Sequence, residues 1–160
     1  MPLFHPDRCM VRLLAALTLL FAMPALADSN RLLLRDGERE IALSVDELRA
    51  RADVEFRFFD PYLAEEVDIR GLVFRELLVE HFGEVPSRLH FEAWDDYDVT
   101  LAGWDDPDWI LVTHQNGEPI TLRHRGPVRL VERDYGDRDP SSLRNFNDWI
   151  WMIRRIEAVW

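Results

Sequence analysis

Short runs of alternating apolar and polar residues, separated by Gly, Pro, Asn or Asp, fill the chain from Leu32 to its end. This is the period-two signature of half-buried strands. Leu32 to Leu34, the turn pair Asp36-Gly37 and then Ile41 to Leu43 predict a hairpin. Ser44, with Glu47 following it at capping-box spacing, starts a short helix from Val45 to about Arg51. Val54, Phe56 and Phe58 alternate with Glu55 and Arg57, a strand that Asp60-Pro61 ends. Val67-Asp68-Ile69 leads into Gly71. Phe74, Leu77, Leu78 and Phe82 then recur at helical spacing, with Gly83 as the stop.

The stretch from Leu89 to Glu132 is the centre of the pattern. Leu89, Phe91 and Ala93 share one face of a strand that breaks at Trp94-Asp95-Asp96-Tyr97 and resumes with Val99 and Leu101. A further strand, Ile110 to Thr113, reaches the turn signal Asn116-Gly117, and the chain returns through Glu118-Pro119-Ile120 and Gly126-Pro127-Val128. Asp139-Pro140 predicts a short helix over Ser141 to Phe146, and the chain closes through Trp149, Ile150, Trp151 and Ile156. Strands outnumber helices and helices interrupt them irregularly. The expected class is a compact α+β domain, a mixed, barrel-like sheet core with short helices.

Composition changes this picture at the N-terminus. Arg8 and Arg12 precede an apolar run from Leu13 to Leu26, and Ala25-Leu26-Ala27 supplies a small-x-small cleavage pattern before Asp28. We read residues 1–27 as a cleavable signal peptide, with Met10 as an alternative start and an uncleaved anchor as the alternative reading. The single domain is then 28–160 and its compartment the periplasm. The only cysteine, Cys9, falls in the leader, so the exported chain has no disulfide, thiolate nucleophile or Cys-ligated metal. The leader lacks a twin-Arg pair, which implies export unfolded. A net charge of −11 argues against nucleic acid and anionic membrane as partners. After cleavage no direct membrane insertion is expected.

Enzyme signatures are missing. His81, His90, His114 and His124 have no metal-ligand spacing within one element. No nucleophile elbow, phosphate loop or dinucleotide fingerprint is present. His114, at a strand end, is a structural residue, a site-lining group or a base without an identified partner. The acidic run Asp95, Asp96, Asp98, Asp105, Asp106 and Asp108 does not follow the EF-hand spacing and reads as a solvated face. Asp96 stands apart because it sits between two aromatics, where a carboxylate can be partly desolvated and kept for hydrogen bonding. A carboxylate can accept both N–H groups on the edge of a pterin-like heterocycle, and an aromatic platform suits the ring's face. Trp94, Tyr97, Trp149 or Trp151 could supply that platform; the competing reading of each tryptophan is core.

Four blocks carry a resemblance. They are Ile69-Arg70-Gly71 with Arg75-Glu76-Leu77-Leu78; Asp96-Tyr97-x-Val99; Gly117-Glu118-Pro119-Ile120 with Gly126-Pro127; and Trp151 with Ile156-Glu157. In this order, over Val54 to Val159, they resemble the sulfite-oxidase-type molybdopterin-binding fold in a small exported form. Enzymes of that fold hold molybdenum through a cysteine thiolate, which this chain lacks after its leader. Of the basic pocket for the cofactor phosphate, Arg123, His124 and Arg125 are the remnant. The resemblance therefore implies the non-catalytic periplasmic pterin-binding subgroup. Such proteins bind a pterin without molybdenum and dock on the periplasmic domain of a membrane-bound cyclic-di-GMP enzyme. It implies ring-edge recognition by Asp96 and stacking by Trp94, Tyr97 and Trp151, and together with the readings above the candidate ligand-binding residues are Trp94, Asp95, Asp96, Tyr97, His114, Arg123, Trp149 and Trp151. The family has Asn where this chain has Asp95. The other readings are a molybdopterin-dependent oxidoreductase or its accessory subunit, and an interaction domain whose pocket its own side chains fill.

Overall fold

A computed structural model describes residues 29–160, so the leader read over residues 1–27 lies outside the described residues. The predicted hairpin forms as β1 (Arg31–Asp36) and β2 (Arg39–Ser44). Gly37 turns it at φ 57°, a left-handed conformation that costs glycine little. Ser44 caps α1 (Val45–Arg51), its Oγ accepting the Glu47 N–H at 3.4 Å. The later elements are β3 (Val54–Asp60), β4 (Glu65–Val73), α2 (Phe74–Phe82), β5 (Arg88–Ala93), β6 (Asp98–Leu101), β7 (Trp109–Gln115), β8 (Glu118–Pro119), β9 (Arg129–Glu132) and β10 (Ile153–Val159).

The strands form two sheets. The first runs β2-β1-β10-β5-β6, and the second runs β3-β4-β7-β8 with β9 also paired to β7. The C-terminal strand enters the middle of the first sheet, parallel to β1 and antiparallel to β5. Alternation decides which side chains face inward. Leu32 and Leu34 of β1, Leu89 and Phe91 of β5 and Ile156 of β10 are buried, and they share one core with Val67 and Ile69 of β4 and Ile110 to Val112 of β7. β7 is apolar on both faces because both helices pack against β4 and β7. Gly71 lets the backbones of β4 and β7 close up, since a Cβ there would lie 2.3 Å from the Leu111 carbonyl oxygen.

One predicted element differs. The helix expected over Ser141 to Phe146 is only a 3₁₀ turn, Leu143–Phe146. The Asp139 carboxylate accepts from both the backbone N–H and the hydroxyl of Ser141, and its backbone carbonyl accepts from the Asn145 amide. These local bonds compete with the helical ladder in a segment that is mostly exposed. Phe146 alone is buried there, and it anchors the turn to the core.

Candidate functional site

Asp60 and Arg129 start the site. Asp60 closes β3 and is fully buried, and its carboxylate serves three donors: the backbone N–H groups of Tyr62 at 2.9 Å and Leu63 at 3.3 Å, and Arg129 Nη1 at 2.9 Å. Arg129 spends its Nη2 on Gln115 Oε1 at 2.9 Å. Burial pulls the Arg129 pKa down, Asp60 opposes that shift, and the nearby Arg125 adds to it. The turn after β3 is thereby fixed, and with it the ring of Tyr62, whose hydroxyl donates to the Phe146 carbonyl at 2.7 Å.

Arg125 and Trp151 complete the aromatic wall. Trp151 meets Tyr62 edge to face, with centroids 4.7 Å apart and planes at 82°. The Arg125 guanidinium carbon lies 5.2 Å from the Trp151 ring centroid and 6.0 Å from that of Tyr62, within cation–π range. Its Nη1 is buried and has no hydrogen-bond partner in the protein. Arg125 itself is left-handed, at φ 63°, at the corner before the cis peptide Gly126-Pro127. The Gly126 N–H donates to the Thr121 carbonyl at 2.7 Å, so the corner folds tightly on itself.

Backbone bonds tie three loops together at this point. The Trp94 N–H donates to the Met152 carbonyl at 2.8 Å, and the Met152 N–H donates to the Arg125 carbonyl at 3.1 Å. The Asp96-Tyr97, Gly126-Pro127 and Trp151 segments therefore converge. Tyr97 and Asp148 also lie close enough to Tyr62 to act on its phenol. Burial raises the Tyr62 pKa, Asp148, Tyr97 and Asp60 add to the rise, and Arg125 works against it.

Not all of the predicted residues meet there. Trp149 is 4 % exposed and packs among Phe58, Tyr62, Tyr135 and Phe146, so it is core that supports the wall from behind. Asp96 does not sit desolvated between two rings: it is an exposed turn residue at φ 65°. Asp95 folds its carboxylate back onto the Tyr97 N–H at 3.3 Å, and Tyr97 is exposed. The Trp94 side chain lines a separate cleft with Arg31, Leu33, Arg154 and Arg155. Strand alternation explains this, because Phe91 and Ala93 point inward and Trp94 must point out. Arg123 is exposed on the 3₁₀ turn Leu122–His124 and lines another cavity, with Asn30, Arg49 and Pro127.

His114 sits apart, in a groove of 610 Å³ on the second sheet with Arg57, Arg70 and Asn116. Arg70 Nη2 lies 3.4 Å from its Nε2 and Thr113 Oγ1 lies 2.8 Å from its Nδ1. Arginine can only donate, so Nε2 accepts and Nδ1 carries the proton toward Thr113, whose hydroxyl donates in turn to the Arg70 carbonyl at 3.3 Å. Burial lowers the His114 pKa, Arg70 and then Arg49 lower it further, and Glu118 and Glu55 oppose them. These contacts tie His114 on β7 to Arg70 on β4.

Tyr62 and Arg129 escaped the sequence reading, and Arg125 entered it only as part of a remnant phosphate pocket. The available signals were weak: a tyrosine inside a Pro-containing turn, and one arginine in the apolar run Val128 to Val131. The donor set suits a flat ring better than a metal ion. Tyr62, Trp151 and Arg125 offer faces and hydrogen-bond donors. Residues 29–160 contain no cysteine, and among the described residues no three His, Cys, Asp or Glu side chains are grouped to hold a metal ion.

No protein-family profile matches the sequence, and no curated protein matches it. Among solved structures, the sulfane dehydrogenase SoxCD from Paracoccus pantotrophus matches with a TM-score of 0.53 and 18 % identity, over 80 % of this chain. At that identity the likeness shows the fold alone, and the fold is consistent with the sulfite-oxidase-type α+β class expected from the four sequence blocks. The match takes in 37 % of the SoxCD chain.

Proposed function

We propose that this chain is a non-catalytic binding protein for a pterin or a related flat heterocycle, acting in the periplasm as the sensor subunit of a membrane-bound cyclic-di-GMP enzyme. The observation that carries the binding part is the Tyr62–Trp151–Arg125 arrangement, in which two rings flank a guanidinium whose Nη1 is buried and unpartnered. A heterocycle carbonyl answers that donor, and its ring finds aromatic surface beside it. Tyr97 lies close enough to Tyr62 to act on its phenol, and the exposed carboxylate of its neighbour Asp96 is the acceptor we assign to the ring's N–H edge. The lack of a thiolate in residues 29–160 is the reason for leaving molybdenum out. Docking on a periplasmic partner domain follows from the resemblance of the sequence blocks.

In a second reading the chain is a molybdopterin-dependent oxidoreductase or its accessory subunit; the word dehydrogenase in the SoxCD neighbour's name supports only the oxidoreductase part. One experiment separates them. Protein purified from the periplasm without added ligand is denatured, the extract is oxidised and chromatographed for pterin fluorescence, and the same sample is assayed for molybdenum. Stoichiometric pterin without metal supports the sensor. Molybdenum near one atom per chain supports the oxidoreductase, and neither species removes both.

A further inference from the structure

The outward face of the first sheet carries a cleft of 340 Å³, lined by Arg31, Leu33, Trp94, Arg154 and Arg155, that shares no side chain with the Tyr62–Trp151–Arg125 wall. Its origin is a register irregularity. β10 pairs Ile153 with Ala93 and then Arg155 with Glu92, leaving Arg154 as the extra residue of a bulge. A bulge re-aims a side chain, and here both arginines reach the same carboxylate. Arg154 Nη2 donates to Glu92 Oε2 at 3.1 Å, and Arg155 Nη1 reaches both oxygens of Glu92 at 3.1 Å. Arg155 is further engaged by Glu40 at 3.5 Å. Leu33 stands opposite Arg155 across the β1–β10 pair and supplies an apolar floor. The indole of Trp94 forms one wall, and its Nε1 is buried without a hydrogen-bond partner in the protein.

We propose that this cleft is a second ligand site, for a small monocarboxylate with an apolar body. The ligand's carboxylate accepts from Trp94 Nε1 and the Arg154 guanidinium, and its body lies along Leu33 and the indole face. Three features lead to that class. A buried indole N–H requires an acceptor. The lining includes three arginines, two of which share the single Glu92 carboxylate, so positive charge is in local excess in a chain of net charge −11. Arg155 is committed to Glu92 and Glu40, Arg31 has a partner of its own, and Arg154 gives only its Nη2 to Glu92, so the rest of the Arg154 guanidinium is the edge left for the ligand, which suits one carboxylate rather than a multiply charged phosphate.

The test is an indole N–H titration by two-dimensional NMR. The Trp94 cross-peak is assigned by its loss in Trp94→Phe, and the protein is titrated with phenylacetate, with phenylacetamide and inorganic phosphate as controls. The Trp94 peak should move saturably with phenylacetate and much less with either control. Arg154→Gln should weaken phenylacetate by about tenfold, the loss of one charge-assisted hydrogen bond. Leu33→Glu should abolish the shift, and the other indole signals report whether that variant is folded. A peak that ignores phenylacetate, or follows phenylacetamide equally, overturns the proposal. So does a folded Leu33→Glu or Arg154→Gln variant with the wild-type titration curve.

Discussion

Arg129 reaches Asp60 at 2.9 Å with side-chain exposures of 3 % and 0 %, an ion pair that joins β9 to the end of β3 inside the core. The pair does more than neutralise itself, because Asp60 also holds the Tyr62 and Leu63 backbone N–H groups and so sets the aromatic wall. Removing one partner leaves the other charge buried. Asp60→Asn and Arg129→Met should each lower unfolding stability by about 3–5 kcal/mol in urea titrations. The double variant Asp60→Asn/Arg129→Met should recover part of that loss, since no lone charge remains. Single variants that lose less than about 1 kcal/mol would mean that water reaches the pair.

His114 links stability to pH. Its folded pKa lies below the ordinary 6.5, because burial and the neighbouring Arg70 and Arg49 disfavour its protonation. Well above 6.5 neither the folded nor the unfolded chain binds the extra proton, and its contribution to stability is intact. As the pH falls, the unfolded chain is protonated first, and stability is lost through the window from 6.5 down to the lower folded value. Urea midpoints should therefore fall between neutral and mildly acidic pH, and His114→Gln should flatten that part of the profile. An unchanged slope in His114→Gln would assign the dependence to carboxylates instead.

Much of the framework could be read from the chain because its cues are local. The Ser44 cap, the Asp36-Gly37 and Asn116-Gly117 turns and the alternating strands each rest on neighbours a few residues away. The same alternation also bears on the site. With Phe91 and Ala93 inward, Trp94 has to face outward, so it and Tyr97 cannot close on Asp96 from both sides. Asp60 and Arg129 show the opposite case, because they lie 69 positions apart and only the sheet topology brings them together. Arg125 is legible only in part: the Gly-Pro corner marks a turn, but the two rings beside its guanidinium come from the β3–β4 turn and the segment before β10.

Gly126 tests how tightly the corner under Arg125 is built. A Cβ at this position would fall 2.6 Å from the carbonyl carbon and oxygen of Ile120 and 2.8 Å from the Thr121 nitrogen. All three are backbone atoms in a segment whose own bonds close the turn, so no side-chain rotation relieves the clash. Gly126→Ala should cost on the order of 1–3 kcal/mol, the range for overpacking, measured by thermal unfolding. It should also weaken heterocycle binding, because the Arg125 carbonyl that accepts the Met152 N–H moves with the corner. An unchanged melting temperature would show that the Ile120 backbone yields.

Trp151 and Arg125 separate stacking from hydrogen bonding at the proposed heterocycle site. Trp151 is only half-buried and touches Tyr62 by its edge, so its removal opens the wall without emptying the core. Trp151→Ala should weaken a bound pterin by about 1–3 kcal/mol, the range for stacking a nucleobase on an aromatic side chain. Arg125→Met keeps much of the apolar stem but removes the buried Nη1 donor, and its penalty should fall on ligands that present a ring carbonyl. Titrating both variants with a pterin and with an analogue lacking that carbonyl distinguishes the two contributions. Trp151→Ala should lose affinity for both compounds, whereas Arg125→Met should lose it for the carbonyl-bearing ring and bind the analogue nearly as the parent does. If Arg125→Met weakens both equally, the guanidinium acts by holding Trp151 and Tyr62 in place, and the hydrogen-bond donor to the ring must be sought elsewhere on the wall.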